Sequence, residues 1–474
     1  MQWNISRREF GRRLAGGGVF VGLQPAWNYP AAARSLRNDL KELSGHLLFD
    51  DTALQGAADD FGHVVHHKPV AVLRPGDAKD IAKLIQLANR QGLKVAMRGQ
   101  AHSFFGQTQV AGGVVIDSSS LNNIHVVKTG NEGVVEIGAG SKWHPVLMAA
   151  NSDKLTVPVI TDTFLSVGGT ISTGGFGVTT YNLGLQVDHV QELEVVTGEG
   201  EIVTCSDERN SDLFNAMLGG LGQCGIITKV MMRLIPAPTN VLFIKMDYDD
   251  FQSASADLAV LAKEGRFHHL DGRGAARPSG GVGYYVEGGA FYDAPNDPDE
   301  QKLTAGLNFA KKTAAVMTYE QYFRREEVCT LCTTSLQKPF VYLCIPASQY
   351  VEYTSGILSS PTESAFLVPR MSAWRRNAIK RPLTRVPDEE IIYRFQLSRT
   401  LPVGTDTGTM IALNRLLYER AWSIGGHRLT SSAVAMSQDD WKQHYGSVWQ
   451  RVEAAKMKFD PKNVLTPGYG MFPG

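Results

Sequence analysis

The stretch PVAVLRPGDAKDIAKLIQLANRQGLKVAM (69–97) restricts the fold more than any other part of the chain. PVAVL (69–73) has the apolar density of a buried strand, Arg74-Pro75-Gly76 is a turn, and Asp77 is placed to cap a helix. From there to Gln91, Ile81, Leu84, Ile85 and Ala88 recur at helical spacing and give one buried face. Gly92 supplies the stop, and Leu93 to Met97 reads as a second strand. A strand, helix and strand of this kind deliver the next residues to the carboxyl end of a sheet strand, where ligands of such sheets usually lie. Those residues are Arg98-Gly99-Gln100-Ala101-His102-Ser103-Phe104-Phe105-Gly106-Gln107. The histidine among them stands between small residues and amides where a plain core would have a branched aliphatic.

Further short strands are expected at 113–117, 134–138, 192–196, 201–205 and 225–234, with a helix at 212–217 before the last. Beyond Pro236, aromatic-rich runs (281–293, 338–346, 389–398) alternate with segments read as helical (300–326 and 408–421), as in a separate α+β domain on an antiparallel sheet. Residues 439–468 read as a helix closed by a proline-marked turn.

The charge balance excludes several classes of partner. Lys+Arg and Asp+Glu both number 47, so no net field favours nucleic acid or an anionic membrane face. A small-molecule ligand fits best. The first residues differ: Ser6-Arg7-Arg8-Glu9-Phe10, a short glycine-rich apolar run and Ala31-Ala32-Ala33 resemble a twin-arginine export signal over 1–33. The run is too short to span a bilayer, and the implied location is periplasmic or secreted in a bacterium.

Three motifs are set aside. Gly220-Leu-Gly222-Gln-Cys-Gly225 matches a dinucleotide fingerprint, but a helix precedes it and a strand comes after, the reverse of what a phosphate-binding turn needs. Cys329-Thr-Leu-Cys332 lacks a partner pair at zinc spacing and reads as structural, with a local disulfide open to it. His63-Val-Val-His66-His67 resembles metal ligands but shows no acidic partner nearby, so no metal site is expected. By contrast, Val167-Gly168-Gly169-Thr170-Ile171-Ser172-Thr173-Gly174-Gly175 offers small residues whose amides and hydroxyls suit a pyrophosphate without a helix dipole.

Taken in order, the opening strand-helix-strand unit, AHSFFGQ, GGVVID, VEIGAG, VGGTIS, ELEVVTGEGEIVTCS, DLFNAMLGGLGQCGIITKV and FDPKNVLTPG resemble the FAD-linked oxidoreductases of vanillyl-alcohol oxidase type, most closely the cytokinin dehydrogenases. That resemblance implies an α+β fold with a two-part FAD-binding domain (34–236 and 437–474) and a substrate domain (237–436) built on an antiparallel sheet flanked by helices. It implies FAD bonded covalently through His102, with Gly99, Gln100, Ala101, Ser103, Gln107, Ser166, Ser172, Phe176, Ile226, Thr466 and Tyr469 at cofactor-contact positions. A neutral imidazole nitrogen can add to an electrophilic flavin carbon, and small neighbours let the ring approach. Gln100 and Ala101 replace the family's arginine and glycine, Phe176 an aliphatic residue, and Tyr469 the terminal glutamine.

The same resemblance implies hydride transfer to flavin N5 with an aspartate as base. Asp162 matches that aspartate, but one residue fewer separates it from Gly168-Gly169, so it can serve only where the loop compensates. Trp374 and Ser431 match substrate-pocket positions, and Arg370, Arg375, Arg376, Lys380 and Arg381 surround Trp374 with charge that a solvated face or an anionic substrate would explain. The expected reaction is oxidation of an N6-substituted adenine side chain, with oxygen or a quinone as acceptor. The alternatives are an alcohol or sugar oxidase on the same scaffold, or a flavin-carrying binding protein without turnover.

Overall fold

In the computed structural model, residues 29–473 are described apart from 277–280 and 326. The twin-arginine motif at Ser6 to Phe10 lies outside the described residues. The opening helix forms over Ala78–Gln91 for the reasons its sequence supplies. The Asp77 carboxylate accepts from the amides of Lys79 and Asp80, and Gly92 closes the helix at φ 67° with its amide bonded to the Ala88 carbonyl. Ile81, Leu84 and Ile85 are fully buried, each contributing about 1.5–3 kcal/mol of transfer free energy. The flanking strands, Ala71–Arg74 and Val95–Arg98, are both parallel to Val114–Asp117, which lies between them. His46–Leu48 completes this four-stranded sheet antiparallel to Ala71–Arg74.

A second sheet is wholly antiparallel, in the order Ile124–Thr129, Glu132–Gly138, Gly225–Pro236, Val190–Thr197, Ile202–Ser206. The chain end returns to the first sheet. Val95 donates to the Val464 carbonyl and Thr466 donates to the Val95 carbonyl, so 464–466 run along the edge beside Val95–Arg98. A buried ion pair, Lys456 with Asp460 at 2.6 Å, fixes that return: Asp460 also accepts from the amides of Val464 and Leu465, and Lys456 donates to the Gln223 carbonyl.

The third sheet has eight antiparallel strands in the order Lys311–Thr318, Asn240–Tyr248, Val282–Tyr292, His269–Ala276, Leu367–Arg375, Ile391–Arg399, Val341–Pro346, His427–Arg428. Its strands have two different faces. Met371, Tyr393 and Phe395 turn towards the helix Phe251–Glu264, with the Tyr393 hydroxyl donating to the Ser255 carbonyl and Ser255 meeting the Met371 sulfur. Their neighbours in sequence, Arg370, Ser372, Arg394 and Gln396, belong to the other face.

The helical reading of 300–326 is corrected. Only Glu300–Thr304 and Tyr319–Arg324 are helical, and Lys311–Thr318 is an edge strand paired to Asn240–Tyr248 from Asn240↔Thr318 to Asp247↔Lys311. The alanines there mimic helix propensity, but an open strand edge alongside supplies hydrogen bonds that outweigh it. The helix at 408–421 forms as Thr407–Ser423. The terminal segment is two helices, Gln438–Tyr445 and Trp449–Phe459, separated at Gly446, whose φ is 52°. No helix of the described residues is long and apolar enough to cross a membrane.

Candidate active site

The loop after Val95–Arg98 is held from below by a residue the sequence reading passed over. Asp60 is buried and accepts from the Ser103 hydroxyl at 2.9 Å, the Gly106 amide at 2.8 Å and the Gly62 amide at 3.0 Å. Burial pushes its carboxyl up to about 6, against the pull of those three donors. Gly99 is required here, since a Cβ would lie 1.9 Å from the Ser166 hydroxyl oxygen. Ala101, in the family's glycine position, sits at φ 51°, a left-handed conformation that costs a residue with a Cβ roughly 1–2 kcal/mol.

His102 is thereby presented between two protein parts. Its ring stacks on Phe61 at 4.0 Å between centroids and meets Phe104 at 5.8 Å and Phe164 at 5.4 Å. Burial, reinforced by the charge of Lys338, pushes the imidazole down to about 4, so it is neutral at physiological pH. Cys329 and Cys332 form a disulfide whose sulfurs lie within 4.8 Å of the nearest His102 ring nitrogen. Being joined, they offer no thiolates to a metal ion. His63 does have an acidic partner, contrary to the sequence reading: its Nδ1 is 2.7 Å from Asp59 and its Nε2 is 3.1 Å from the Thr334 carbonyl, so both nitrogens are engaged.

His102 opens onto a cavity with two unlike walls. One wall is built by Gly99, Gln100, Ala101, Ser103, Ser166, Gly169, Asp162 and Phe176. The other comes from the third sheet through Tyr342, Arg370, Ser372, Arg394 and Gln396, and Ser431 and Tyr469 also belong to the lining. Asp162 lies in this lining because 162–165 form a turn, in which the Leu165 amide donates to the Asp162 carbonyl, rather than a strand. A turn has no two-residue alternation to violate, so the missing residue leaves Asp162 in the lining.

The remaining expected contacts distribute differently. Val167–Thr173 is a short helix, not an extended cradle, and the amides of Val167 and Gly168 donate to the carbonyls of Ser141 and Ala139. Ser172 donates to the Gly168 carbonyl. Gln107 spans the two parts: its carbonyl oxygen takes the Phe105 amide, and its amide group reaches the Ser432 carbonyl at 3.3 Å. Ile226 is core, packed with Val464 and Leu465. Thr466, at φ 49°, donates to the Gly222 carbonyl. Trp374 is buried one layer behind the lining, its ring 5.9 Å from that of Phe176. The basic run divides: Arg381 pairs with Asp207 and Arg375 donates to the Ala262 carbonyl, whereas Arg370 faces the cavity with Asp271 at 2.7 Å.

The chemistry of this lining suits a flavin. A neutral imidazole adjoins small residues and a glycine whose side must stay bare, and an aspartate stands on the same wall as the glycines.

Comparison with known proteins agrees with this reading of the fold. A family model described as FAD binding domain matches residues 69–206. Among solved structures, a chitooligosaccharide oxidase superposes with a TM-score of 0.77 at 17% identity, over 94% of this chain and 100% of its own. 6-Hydroxy-D-nicotine oxidase from Arthrobacter nicotinovorans superposes at 0.73 and 20%, over 91% and 99%. A flavoprotein of vanillyl-alcohol oxidase type from Myceliophthora thermophila scores 0.71 at 17%, over 93% and 89%. The fold is therefore that of the vanillyl-alcohol oxidase type flavoproteins. A second model, described as the FAD and cytokinin binding region of cytokinin dehydrogenase 1, matches residues 275–472. An uncharacterized oxidoreductase of the fasciation locus of Rhodococcoides fascians is 34% identical over 90% of this chain and 99% of its own. Cytokinin dehydrogenase 10 of Oryza sativa is 31% identical over 90% and 88%. The chain belongs to the cytokinin dehydrogenase family of FAD-dependent oxidoreductases.

Proposed function

We propose that the protein oxidises an N6-substituted adenine side chain, with FAD tethered to His102 and Asp162 as the base. The observation that carries this reading is that a neutral, half-buried imidazole and an aspartate line one cavity between the FAD-binding part and the third sheet. FAD, when bound, supplies an acceptor at N5 for the hydride that leaves the substrate carbon. The unprotonated nitrogen of His102 is the nucleophile for the tether, and Phe61 stacked on it fixes the ring plane. Asp162 takes the proton from the substrate amine as the adjacent carbon gives up hydride. Phe104, Phe176 and Tyr342 close the space between the walls and limit water. The imine so formed hydrolyses to adenine and an aldehyde.

The proposal extends to location. An export signal of the type at Ser6 to Phe10 serves folded, cofactor-loaded proteins, and the Cys329–Cys332 disulfide suits an oxidising compartment.

The purified protein should be yellow and should keep its flavin in the pellet after acid precipitation; colour passing wholly into the supernatant sinks the tether. Anaerobic mixing with isopentenyladenine should bleach the flavin. Bleaching by an alcohol or aldose instead moves the activity to those substrates, and no bleaching by any of them makes the protein a flavin-carrying binder.

A further inference from the structure

The cavity wall supplied by the third sheet is charged where a pocket for a neutral purine side chain needs none. Strand register puts Asp271, Ser372 and Arg394 in one row across three neighbouring strands and Arg273, Arg370, Gln396 and Tyr342 in the next. Asp271 is fully enclosed and sits 2.7 Å from Arg370, 3.1 Å from Arg273 and 3.5 Å from Arg394. Three guanidiniums thus meet two carboxylates, Asp271 and Glu287, the latter 3.3 Å from Arg273.

Arg394 is the least compensated member. Only 3% exposed, it donates to Ser372 at 2.7 Å and to Gln396 at 2.9 Å, and its guanidinium lies 5.0 Å from the Phe176 ring centroid. Its Nε is buried without a hydrogen-bond partner. Leaving such a donor unmet costs about 1–3 kcal/mol, more for a charged group, and an anion beside the guanidinium would offset that cost. Asp271, Ser372 and Gln396 meanwhile hold the guanidinium against the sheet, so little ordering remains to be done on binding.

We infer that Arg394, with Arg370 beside it, forms a subsite for an oxyanion on the substrate, a carboxylate or a phosphate. This rests on the oxidation proposed above, with the reacting carbon between the flavin and Asp162 and the anionic group directed to the third sheet. It distinguishes this chain's substrate from an uncharged N6-alkenyl adenine.

The test compares matched pairs by anaerobic flavin bleaching: an N6-substituted adenine with a side-chain carboxylate against its methyl ester, and isopentenyladenosine 5′-monophosphate against the riboside. At least one anionic partner should half-saturate at a concentration tenfold or more below its neutral match. Arg394→Met should collapse that ratio to near one, and Arg394→Lys should keep a ratio of at least three. Equal half-saturation within twofold for both pairs overturns the subsite. Should no adenine bleach the flavin, the oxidation reading fails on its own, and the subsite is judged by titrating the oxidised holoprotein with acetate and inorganic phosphate. A saturable shift of the flavin spectrum with either anion, weakened at least tenfold in Arg394→Met, supports the subsite. No shift with either overturns it.

Discussion

The two walls of the cavity solve different problems. The wall from the FAD-binding part is mostly small residues, backbone and a neutral imidazole, with Asp162 and Phe176 among them, and Asp60 is tucked beneath its loop with three hydrogen-bond donors. The wall from the third sheet is made of guanidiniums held by Asp271, Ser372 and Gln396. A flat, shared cofactor asks for close approach, which only small residues allow, whereas a substrate is chosen by charge and hydrogen bonding, which large polar side chains supply. The part of a flavoenzyme that recognises its flavin can therefore stay alike while the facing sheet is rewritten.

If this division holds, the largest effect should come from the reacting group on the cofactor-side wall. Asp162→Asn should lower the rate of flavin reduction by roughly 10²–10⁴ while leaving flavin content unchanged, as rapid-mixing and absorbance measurements would show. Equal rates in the two proteins would remove Asp162 from the chemistry.

A smaller effect concerns pH. His102 is held at about 4 against an ordinary 6.5, so its burial destabilises the fold as pH falls from about 6.5 towards 4. Asp60, raised from 3.8 to about 6, has the opposite slope, losing stability as pH rises from about 4 to 6. In flavin-free protein the two should largely cancel between pH 4 and 6. Against the unsubstituted protein, thermal unfolding of Asp60→Asn should fall more steeply on acidification over that range, by up to about 1.4 kcal/mol per pH unit. Parallel curves would contradict the burial argument for Asp60.

The smallest expected effect lies at Ala101. Restoring glycine relieves the left-handed strain of about 1–2 kcal/mol but raises unfolded-chain entropy by about 0.5–1 kcal/mol, so Ala101→Gly should stabilise by at most about 1.5 kcal/mol in denaturant unfolding. A loss of stability would mean that the Ala101 methyl group packs better than its backbone suffers.

The legibility of these features in the sequence tracks the same division. The helix Ala78–Gln91 was readable because its cap, periodic face and glycine stop are local, and His102 because the small residues around it are contiguous. Asp60 was missed because its role depends on a hydrogen bond to an amide 46 residues away. Asp271 was missed because its partners stand on other strands, 99 and 123 residues on. Arg394 and Gln396 did leave a trace, polar residues at alternate places within the otherwise apolar EEIIYRFQLS, but alternation alone does not say which face meets a cavity. Lys311–Thr318 was misread because an edge strand owes its conformation to a neighbour absent from its own sequence.

The bond from Gln107 to the Ser432 carbonyl ties the loop that carries His102 to the far part of the chain, one residue past Ser431 in the cavity lining. One amide thus stitches together two stretches of the lining that lie 325 residues apart along the chain.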